Sequence, residues 1–256
     1  MPSKTIDHAI TARSLTSAAT DPTHAGVLSF MRRTYSKSLK GAEAVVWGIP
    51  FDAAVSNRPG ARFGPQAIRR ASAIFDNDPQ YPFERDLFEN LAVIDYGDCL
   101  LDYGNHTKTP SIIEREAAKI LKSDAFLLTL GGDHFITWPL LKAHAAKYGP
   151  LALVQFDAHQ DTWFDDGRRI DHGSFVARAV RDGIIDPDLS IQIGIRTHAP
   201  SAKMLSVLRK LTALDFVGAD VVEVAPAYDH ADITAIAGAT IAMYYLGLLG
   251  ERKERR

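Results

Sequence analysis

The sequence has little of the features that mark several classes of protein. Its 256 residues include one cysteine, Cys99, so no intrachain disulfide can form, and this fits a reducing compartment. The 29 basic and 31 acidic side chains nearly cancel, and no long run of one sign precedes the charged residues 251–256, so a nucleic-acid partner is not indicated. The Ser/Thr-rich residues 1–20 lack the apolar core of a secretory signal, which favours a cytoplasmic protein.

Long hydrophobic runs are also missing. The longest, residues 235–249, is fifteen residues long and contains Thr240 and two tyrosines. A helix that spans a bilayer needs roughly 20 apolar residues. The run therefore predicts a buried helix and no membrane partner.

The composition that remains is that of an ordinary globular chain. Hydrophobic residues make up 46% and charged residues 23% of the sequence, which excludes collagen-like, low-complexity and wholly disordered chains. The length suits one large domain or two small ones. Residues 1–35 lack clear periodicity, and we predict an N-terminal extension there and a domain over residues 36–256.

Short runs rich in Val, Ile and Leu recur along the chain, with stretches of helical spacing between several of them. Each apolar run predicts a strand buried on both faces. Strands that alternate with helices predict a mainly parallel sheet with crossover helices, that is, an α/β domain. The predicted strands are residues 43–49, 91–96, 125–130, 151–156, 190–195 and 215–224, and the predicted helices are residues 65–75, 110–121, 138–147 and 201–211.

Residue types that bind metals follow one of the predicted strands. Asp157 and His159 would project to the same side of an extended chain, and Asp161 can join them where the strand bends into a loop. Two carboxylates and an imidazole suit Mn²⁺, Fe²⁺ or Zn²⁺. The alternative is that Asp161 caps a turn and His159 is an ordinary polar residue.

His134 extends this cluster. It follows Gly131, Gly132 and Asp133 at the end of the preceding predicted strand. Sequential strands are neighbours about two times in three, which would place His134 beside Asp157 at the carboxyl ends of the strands, where open parallel sheets bind ligands. The alternative is that the glycines make a sharp turn and Asp133 caps a helix that begins near His134.

Two further residues have the chemistry of a hydrolytic site. His172 lies in a polar loop, and it is either a surface histidine or, near a metal, a proton-transfer group whose pKa is close to neutrality. Glu223 interrupts an apolar run. A buried carboxylate needs a partner, which is either a cationic ligand or a structural ion pair with Arg62 or Arg196.

Six segments stand in one order along residues 45–249. They are GIPFDAAVSNRPGARFGPQAIR, GGDHFITWPLL, FDAHQD, DHGSF, IGIRT and DVVEVAPAYDHADITA. Together they resemble the ureohydrolases, the family of arginase and agmatinase, and agmatinase most closely. The resemblance implies an arginase-like, three-layer α/β fold with a mainly parallel sheet, two Mn²⁺ ions, hydrolysis of a guanidino substrate to urea and an amine, and a homo-oligomer, either a trimer or a hexamer.

The same resemblance implies roles for the candidate residues. His134, Asp157 and Asp161 would bind one manganese ion, and Asp157 would reach the other together with His159. His172 corresponds to the proton-transferring histidine of the family. Glu223 corresponds to the carboxylate that holds the substrate guanidinium.

One family motif has no counterpart in this sequence. Ureohydrolases carry a strand of the form S/T-F-D-x-D-x-x-D-P, whose first two aspartates complete the metal centre. The family comparison places a break near residues 198–201, where roughly 60 to 75 residues, including a strand interior to the sheet, are absent. Because only Asp157 and Asp161 remain to balance the charge of two Mn²⁺ ions, we predict one bound Mn²⁺ at most and severely reduced turnover.

The sequence leaves several hypotheses open about which substrate the chain uses and whether it is catalytic. Arginases have an asparagine where this chain has Trp163, which disfavours arginine. Agmatine, hydrolysed to putrescine and urea, is the first candidate, and guanidinobutyrate is the second. The alternatives are a non-catalytic or truncated family member, and a mononuclear metal hydrolase of another kind.

Overall fold

The chain forms two parallel β-sheets with helices on both faces of the larger one. The computed structural model describes residues 8–11, 14–16, 23–75, 83–163, 166–195 and 214–254. The strands are β1 (Thr34–Tyr35), β2 (Ala44–Ile49), β3 (Val93–Asp98), β4 (Phe126–Gly131), β5 (Val154–Phe156), β6 (Ile191–Ile193) and β7 (Gly218–Val221). The α-helices are α1 (His8–Thr11), α2 (Gly64–Ser72), α3 (Thr109–Leu121), α4 (Thr137–Tyr148), α5 (Phe175–Arg181) and α6 (Ile233–Glu254).

The larger sheet has the strand order β1-β3-β2-β4-β7, and the smaller sheet pairs β5 with β6. All pairs are parallel. Every residue of the central strands β2 and β4 is buried. Alternate side chains enter two separate cores, since Val46 packs with residues of α2 and α6, and Val45 packs with residues of α3 and α4. The predicted three-layer α/β fold is confirmed.

The predicted helices at residues 65–75, 110–121 and 138–147 are present as α2, α3 and α4. Pro65 and Pro110 lie in the first turns of α2 and α3, where a missing N–H costs nothing. The helix predicted at residues 201–211 lies outside the described residues. Helix α5 was not predicted, because seven residues are too few for a helical period to stand out.

Helix α6 contains the long apolar run. By length and composition it could cross a membrane, but half of its apolar stretch is buried, as in a core helix. Ala235, Ala239 and Ala242 are buried against the larger sheet and α2. The prediction of a buried helix is therefore confirmed for one face of α6.

The described residues before Ser36 contribute to the main core. Phe30 and Met31 are buried, and Thr34–Tyr35 pair with β3 as an edge strand. The division of the chain between residues 35 and 36 stays a prediction.

Three predicted strands are less buried than their sequences indicate. Residues of β5, β6 and β7 are mostly half-buried, whereas the apolar runs predicted burial on both faces. The physical reason is a missing neighbour. Among the described residues, no strand pairs with the outer edge of β5, β6 or β7, and the edges of β5 and β7 border one cavity of about 890 Å³.

A buried ion pair ties α2 to β3. The Arg69 guanidinium donates Nε to Asp95 Oδ2 at 2.8 Å and Nη2 to Asp95 Oδ1 at 3.0 Å, and both side chains are buried. Asp95 Oδ2 also accepts the backbone N–H of Phe30 at 2.8 Å. This carboxylate therefore fixes the N-terminal segment and α2 on the same strand.

We predict that Arg69→Met lowers the free energy of unfolding by about 3 to 5 kcal/mol, because it leaves Asp95 buried without its cation. Arg70→Met is the matched control. The ion pair of Arg70 with Asp232 is exposed, so Arg70→Met should lower the free energy of unfolding by less than about 1 kcal/mol. Denaturant unfolding of both variants measures the difference, and equal losses would contradict this view of the Arg69 pair.

Candidate metal centre

The six candidate residues lie around one cavity at the carboxyl ends of β4, β5 and β7. They are His134, Asp157, His159, Asp161, His172 and Glu223. They come from segments up to 89 residues apart, since the N–H of His134 donates to Glu223 Oε1 at 2.7 Å. The cavity has a volume of about 890 Å³.

The turn after β4 positions His134. Asp133 caps the 3₁₀ turn His134–Ile136 by accepting the N–H of Phe135 at 3.0 Å. The chain bends at Gly132 and Asp133 as predicted, although neither glycine has a positive φ. A side chain at Gly132 would instead collide with the backbone of Phe51, so the glycine permits close packing of two loops. Capping by Asp133 and a site role for His134 are therefore compatible.

His134, Asp157 and Asp161 form a compact donor group. His134 Nδ1 lies 3.0 Å from Asp157 Oδ2 and 3.0 Å from Asp161 Oδ2. The three donor atoms lie within 4.8 Å of one another, and His134 and Asp161 are buried. Within the described residues this is the one group of at least three such side chains. Two carboxylate oxygens and an imidazole nitrogen that converge in this way fit a Mn²⁺ ion.

The charges within the group shift its pKa values strongly. Burial alone would lower the pKa of His134, but hydrogen bonds to Asp157 and Asp161 outweigh it and raise the pKa to about 10. Burial would raise the pKa of Asp157, but its hydrogen bonds with His134 and the N–H of His159 lower it to about 2. In the metal-free protein a proton on His134 therefore holds the two carboxylates together.

His159 stands apart from this group. Its side chain is 75% exposed, and its Nδ1 lies 3.3 Å from Asp157 Oδ1. Asp157 thus directs Oδ2 toward His134 and Oδ1 toward His159. Asp157 is placed between the two histidines, but no third donor joins His159 among the described residues.

His172 and Glu223 form a second pair beside the first group. His172 Nδ1 lies 3.3 Å from Glu223 Oε1, and its Nε2 lies 3.1 Å from Ser56 Oγ. The hydrogen bond to Glu223 raises the pKa of His172. Of the two structural partners considered for Glu223, Arg62 pairs with Asp52 instead, and Arg196 lies outside the described residues.

Two of the carboxylates occupy backbone conformations that L-residues avoid. Asp161 has a φ of 52° and Glu223 has a φ of 64°. Such conformations cost on the order of 1–3 kcal/mol each and are concentrated at functional sites. The local fold is therefore strained where these two side chains enter the cavity.

Sequence reasoning missed supporting residues of the site. Gln155 is buried, and its Nε2 donates to Asp161 Oδ2 at 2.9 Å. Thr137 Oγ1 donates to Asp220 Oδ2 at 2.8 Å, and both residues line the cavity. A polar residue in the middle of an apolar strand, as at Gln155 and Asp220, is the signal that could have revealed them.

The fold and the donor group define a parallel α/β protein with a candidate metal-binding group at the carboxyl edge of its sheet. A model of the Arginase family matches residues 42–205 and 199–247. The agmatinase of Chromobacterium violaceum is 43% identical to this chain, with 96% of each chain aligned. The chain belongs to the arginase family.

Solved structures agree with this assignment. A hypothetical agmatinase from Burkholderia thailandensis has a TM-score of 0.92 and 41% identity, over 97% of this chain and 98% of its own. Proclavaminate amidino hydrolase from Streptomyces clavuligerus has a TM-score of 0.83 and 28% identity, over 91% of this chain and 100% of its own. The arginase-like fold is therefore established.

The relative from C. violaceum is longer than this chain in its interior. The alignment runs over 310 positions, although the chain has 256 residues, so at least 54 positions of the relative have no counterpart here. The two family matches meet at residues 199–205. The predicted break near residues 198–201 lies outside the described residues and stays a prediction.

We predict that the free energy of unfolding of the metal-free protein falls by a few kcal/mol as the pH rises from about 7 to about 10. The folded pKa of His134, about 10, is above its unfolded value of 6.5. The stabilisation is therefore complete below pH 6.5 and is lost as the pH rises through the folded pKa. Denaturant unfolding in EDTA at several pH values measures the effect.

His134→Gln should remove this pH dependence. His144→Gln is the control, because burial lowers the pKa of His144 and its titration falls below this pH window. An unmodified protein whose stability is constant from pH 7 to 10 would contradict the coupling of His134 to the two carboxylates.

Proposed function

We propose that this chain is an agmatinase-type ureohydrolase that holds one Mn²⁺ ion and converts agmatine and water to putrescine and urea. The observation that carries the proposal is the donor group His134–Asp157–Asp161 beside the His172–Glu223 pair. Membership of the arginase family and the agmatinase relatives support the choice of reaction.

The metal ligands in this proposal are His134, Asp157 and Asp161. Three protein ligands leave positions open for water and substrate, as catalytic sites require. When bound there, the ion would supply a nucleophile at neutral pH by lowering the pKa of water at the site. Gln155 donates a hydrogen bond to Asp161 and so holds this carboxylate in place. Hydrogen bonds to metal ligands orient them toward the ion.

One ion, rather than two, follows from the carboxylate count. His159 and Asp157 Oδ1 would be the only described ligands of a second ion. Two ligands, one of them shared, do not make a tight site for a divalent ion. The loss of one ion removes several kcal/mol of charge stabilisation, and each 1.4 kcal/mol is a tenfold change in rate. We therefore expect turnover about 100-fold or more below that of the C. violaceum agmatinase.

Glu223 and Trp163 are the proposed substrate contacts. The Glu223 carboxylate is partly exposed to the cavity and would pair with the guanidinium group. Trp163 is 77% exposed and also lines the cavity. It offers an aromatic surface and no hydrogen-bond acceptor for an α-amino-acid end, which favours agmatine over arginine.

His172 is the proposed proton donor. Its pKa is raised by Glu223, so the imidazole is more readily charged near neutral pH and can give a proton to the departing amine. Ser56 holds its other ring nitrogen. A homo-oligomer, either a trimer or a hexamer, and a cytoplasmic location are part of the same proposal, on the strength of the family resemblance.

We predict that the purified chain binds one Mn²⁺ ion and that Asp161→Asn abolishes this binding. His159→Asn is the control and should retain the ion, because His159 lies outside the donor group. Elemental analysis after gel filtration measures the content. Two tightly held ions in the unmodified chain would contradict the proposal.

The same preparations test the reaction. Urea release is compared for agmatine, guanidinobutyrate and arginine, with the C. violaceum agmatinase as the reference. Slow release from agmatine above the other two compounds is expected. Release that is fastest with arginine would overturn the proposed substrate, and release at the rate of the reference would overturn the single-ion site.

We predict that His172→Asn lowers urea release by about 10²- to 10⁴-fold, because general acid catalysis is lost. Its Mn²⁺ content should be unchanged, since His172 is not one of the three ligands. A radiolabelled agmatine assay with long incubation measures the residual rate. Release within twofold of the unmodified chain would show that the proton comes from another group.

A further inference from the structure

The outer edges of β5 and β7 face a common cavity. Val154 and Phe156 line it from β5, and Asp220 and Val221 line it from β7. The described strands leave both edges unpaired. We call this cavity, between Val154–Phe156 and Gly218–Val221, the strand slot.

Backbone groups of β5 point into the strand slot. Ile191 of β6 donates its N–H to the carbonyl of Leu153. Successive residues of a strand direct their backbone groups to opposite sides, so the N–H and C=O of Val154 and Phe156 point away from β6. The edge of β5 therefore offers two donors and two acceptors to a neighbouring strand.

The edge of β7 offers the complementary set. Asp220 stands opposite Thr129 in the register with β4. The N–H of Glu223 donates to the carbonyl of Gly132, on the β4 side. By the same alternation, the backbone groups of Asp220 point into the strand slot. Unpaired edges of this kind readily pair with another chain.

Side-chain burial gives independent support. All residues of the central strands β2 and β4 are buried, whereas all four residues of β7 are only half-buried. The half-buried residues include Ala219 and Val221, which pack at the margin of the main core. A strand between β5 and β7 would cover them.

We infer that the strand slot is a docking site for one extended β-strand from another polypeptide, apolar along its length and acidic at its carboxyl end. All described strand pairs are parallel, so a strand that joins both edges would end beside His134 and His159. The acidic end rests on the proposed function, because a bound Mn²⁺ there would be short of carboxylates. The aligned relative has at least 54 interior positions that this chain lacks, enough for such a strand.

The probe is a fluorescent peptide of about fifteen residues, so that an apolar strand of about six residues precedes the nine-position acidic motif. Its sequence comes from the stretch of the C. violaceum agmatinase that has no counterpart here, and it is chosen to end in the family motif S/T-F-D-x-D-x-x-D-P. A scrambled peptide and a peptide with the first two aspartates changed to asparagine are the controls. Fluorescence anisotropy with the full chain measures binding.

Measurements in EDTA test the strand slot without the metal. Saturable 1:1 binding at micromolar concentrations is expected for the probe and the asparagine peptide, and none for the scrambled one. With Mn²⁺ present, the probe should bind about tenfold more tightly than in EDTA. The affinity of the asparagine peptide should be the same with and without Mn²⁺. Binding in EDTA without a response to Mn²⁺ would overturn the acidic end alone and point to a failure of the proposed metal site.

A pair of proline variants locates the binding. Val154→Pro removes an N–H that points into the strand slot and leaves the hydrogen bonds to β6 intact. The affinity of this variant for the probe should therefore be at least tenfold lower. Tyr35→Pro is the control on the opposite edge of the larger sheet, where Ser36 rather than Tyr35 donates to Asp95. It should bind like the unmodified chain.

Three results would overturn the inference. One is the absence of probe binding in EDTA and in Mn²⁺, and another is binding that Val154→Pro does not weaken although circular dichroism shows a folded variant. The third is a dimer of this chain, detected by light scattering, that excludes the probe at every concentration, because the occupant would then be a second copy.

Discussion

A strand inside a parallel sheet needs hydrogen-bonded neighbours on both sides, and the rest of this structure depends on where that requirement is met. It is met for β2, β3 and β4, whose residues are mostly buried. Among the described strands it is not met between β5 and β7, which lie in separate sheets. The half-buried strands β5 and β7, the large cavity and the donor group of His134, Asp157 and Asp161 all lie along this division.

The division runs through the functional site rather than around it. His134 follows β4 in the larger sheet, and Asp157 and Asp161 follow β5 in the smaller one. The group still closes to distances of 3.0 Å, and the hydrogen bonds from His134 to both carboxylates raise the pKa of its imidazole. The His172–Glu223 pair joins the same two parts of the molecule. Side-chain hydrogen bonds therefore link the two sheets at the candidate site, where the described strands do not pair.

Much of this arrangement could be predicted from sequence, since continuous apolar runs locate β2 and β4, and prolines locate the first turns of α2 and α3. Strand β1 could not be predicted, because two residues are too few to show a hydrophobic period. The hydrogen bond between His134 and Glu223 could not be predicted either. It depends on a positive φ at Glu223 and on the packing of Gly132 against Phe51. Such contacts are set by tertiary packing, and no local pattern encodes them.

The position of the three donor atoms has a mechanical consequence. An ion held by His134, Asp157 and Asp161 would be bonded to the larger sheet at one point and to the smaller sheet at two. The ion would crosslink distant segments of the chain, much as a disulfide does. The single cysteine of this protein cannot form an intrachain disulfide. The described strands of the two sheets share no pairing, so a bound ion would also restrict how the two sheets move relative to each other.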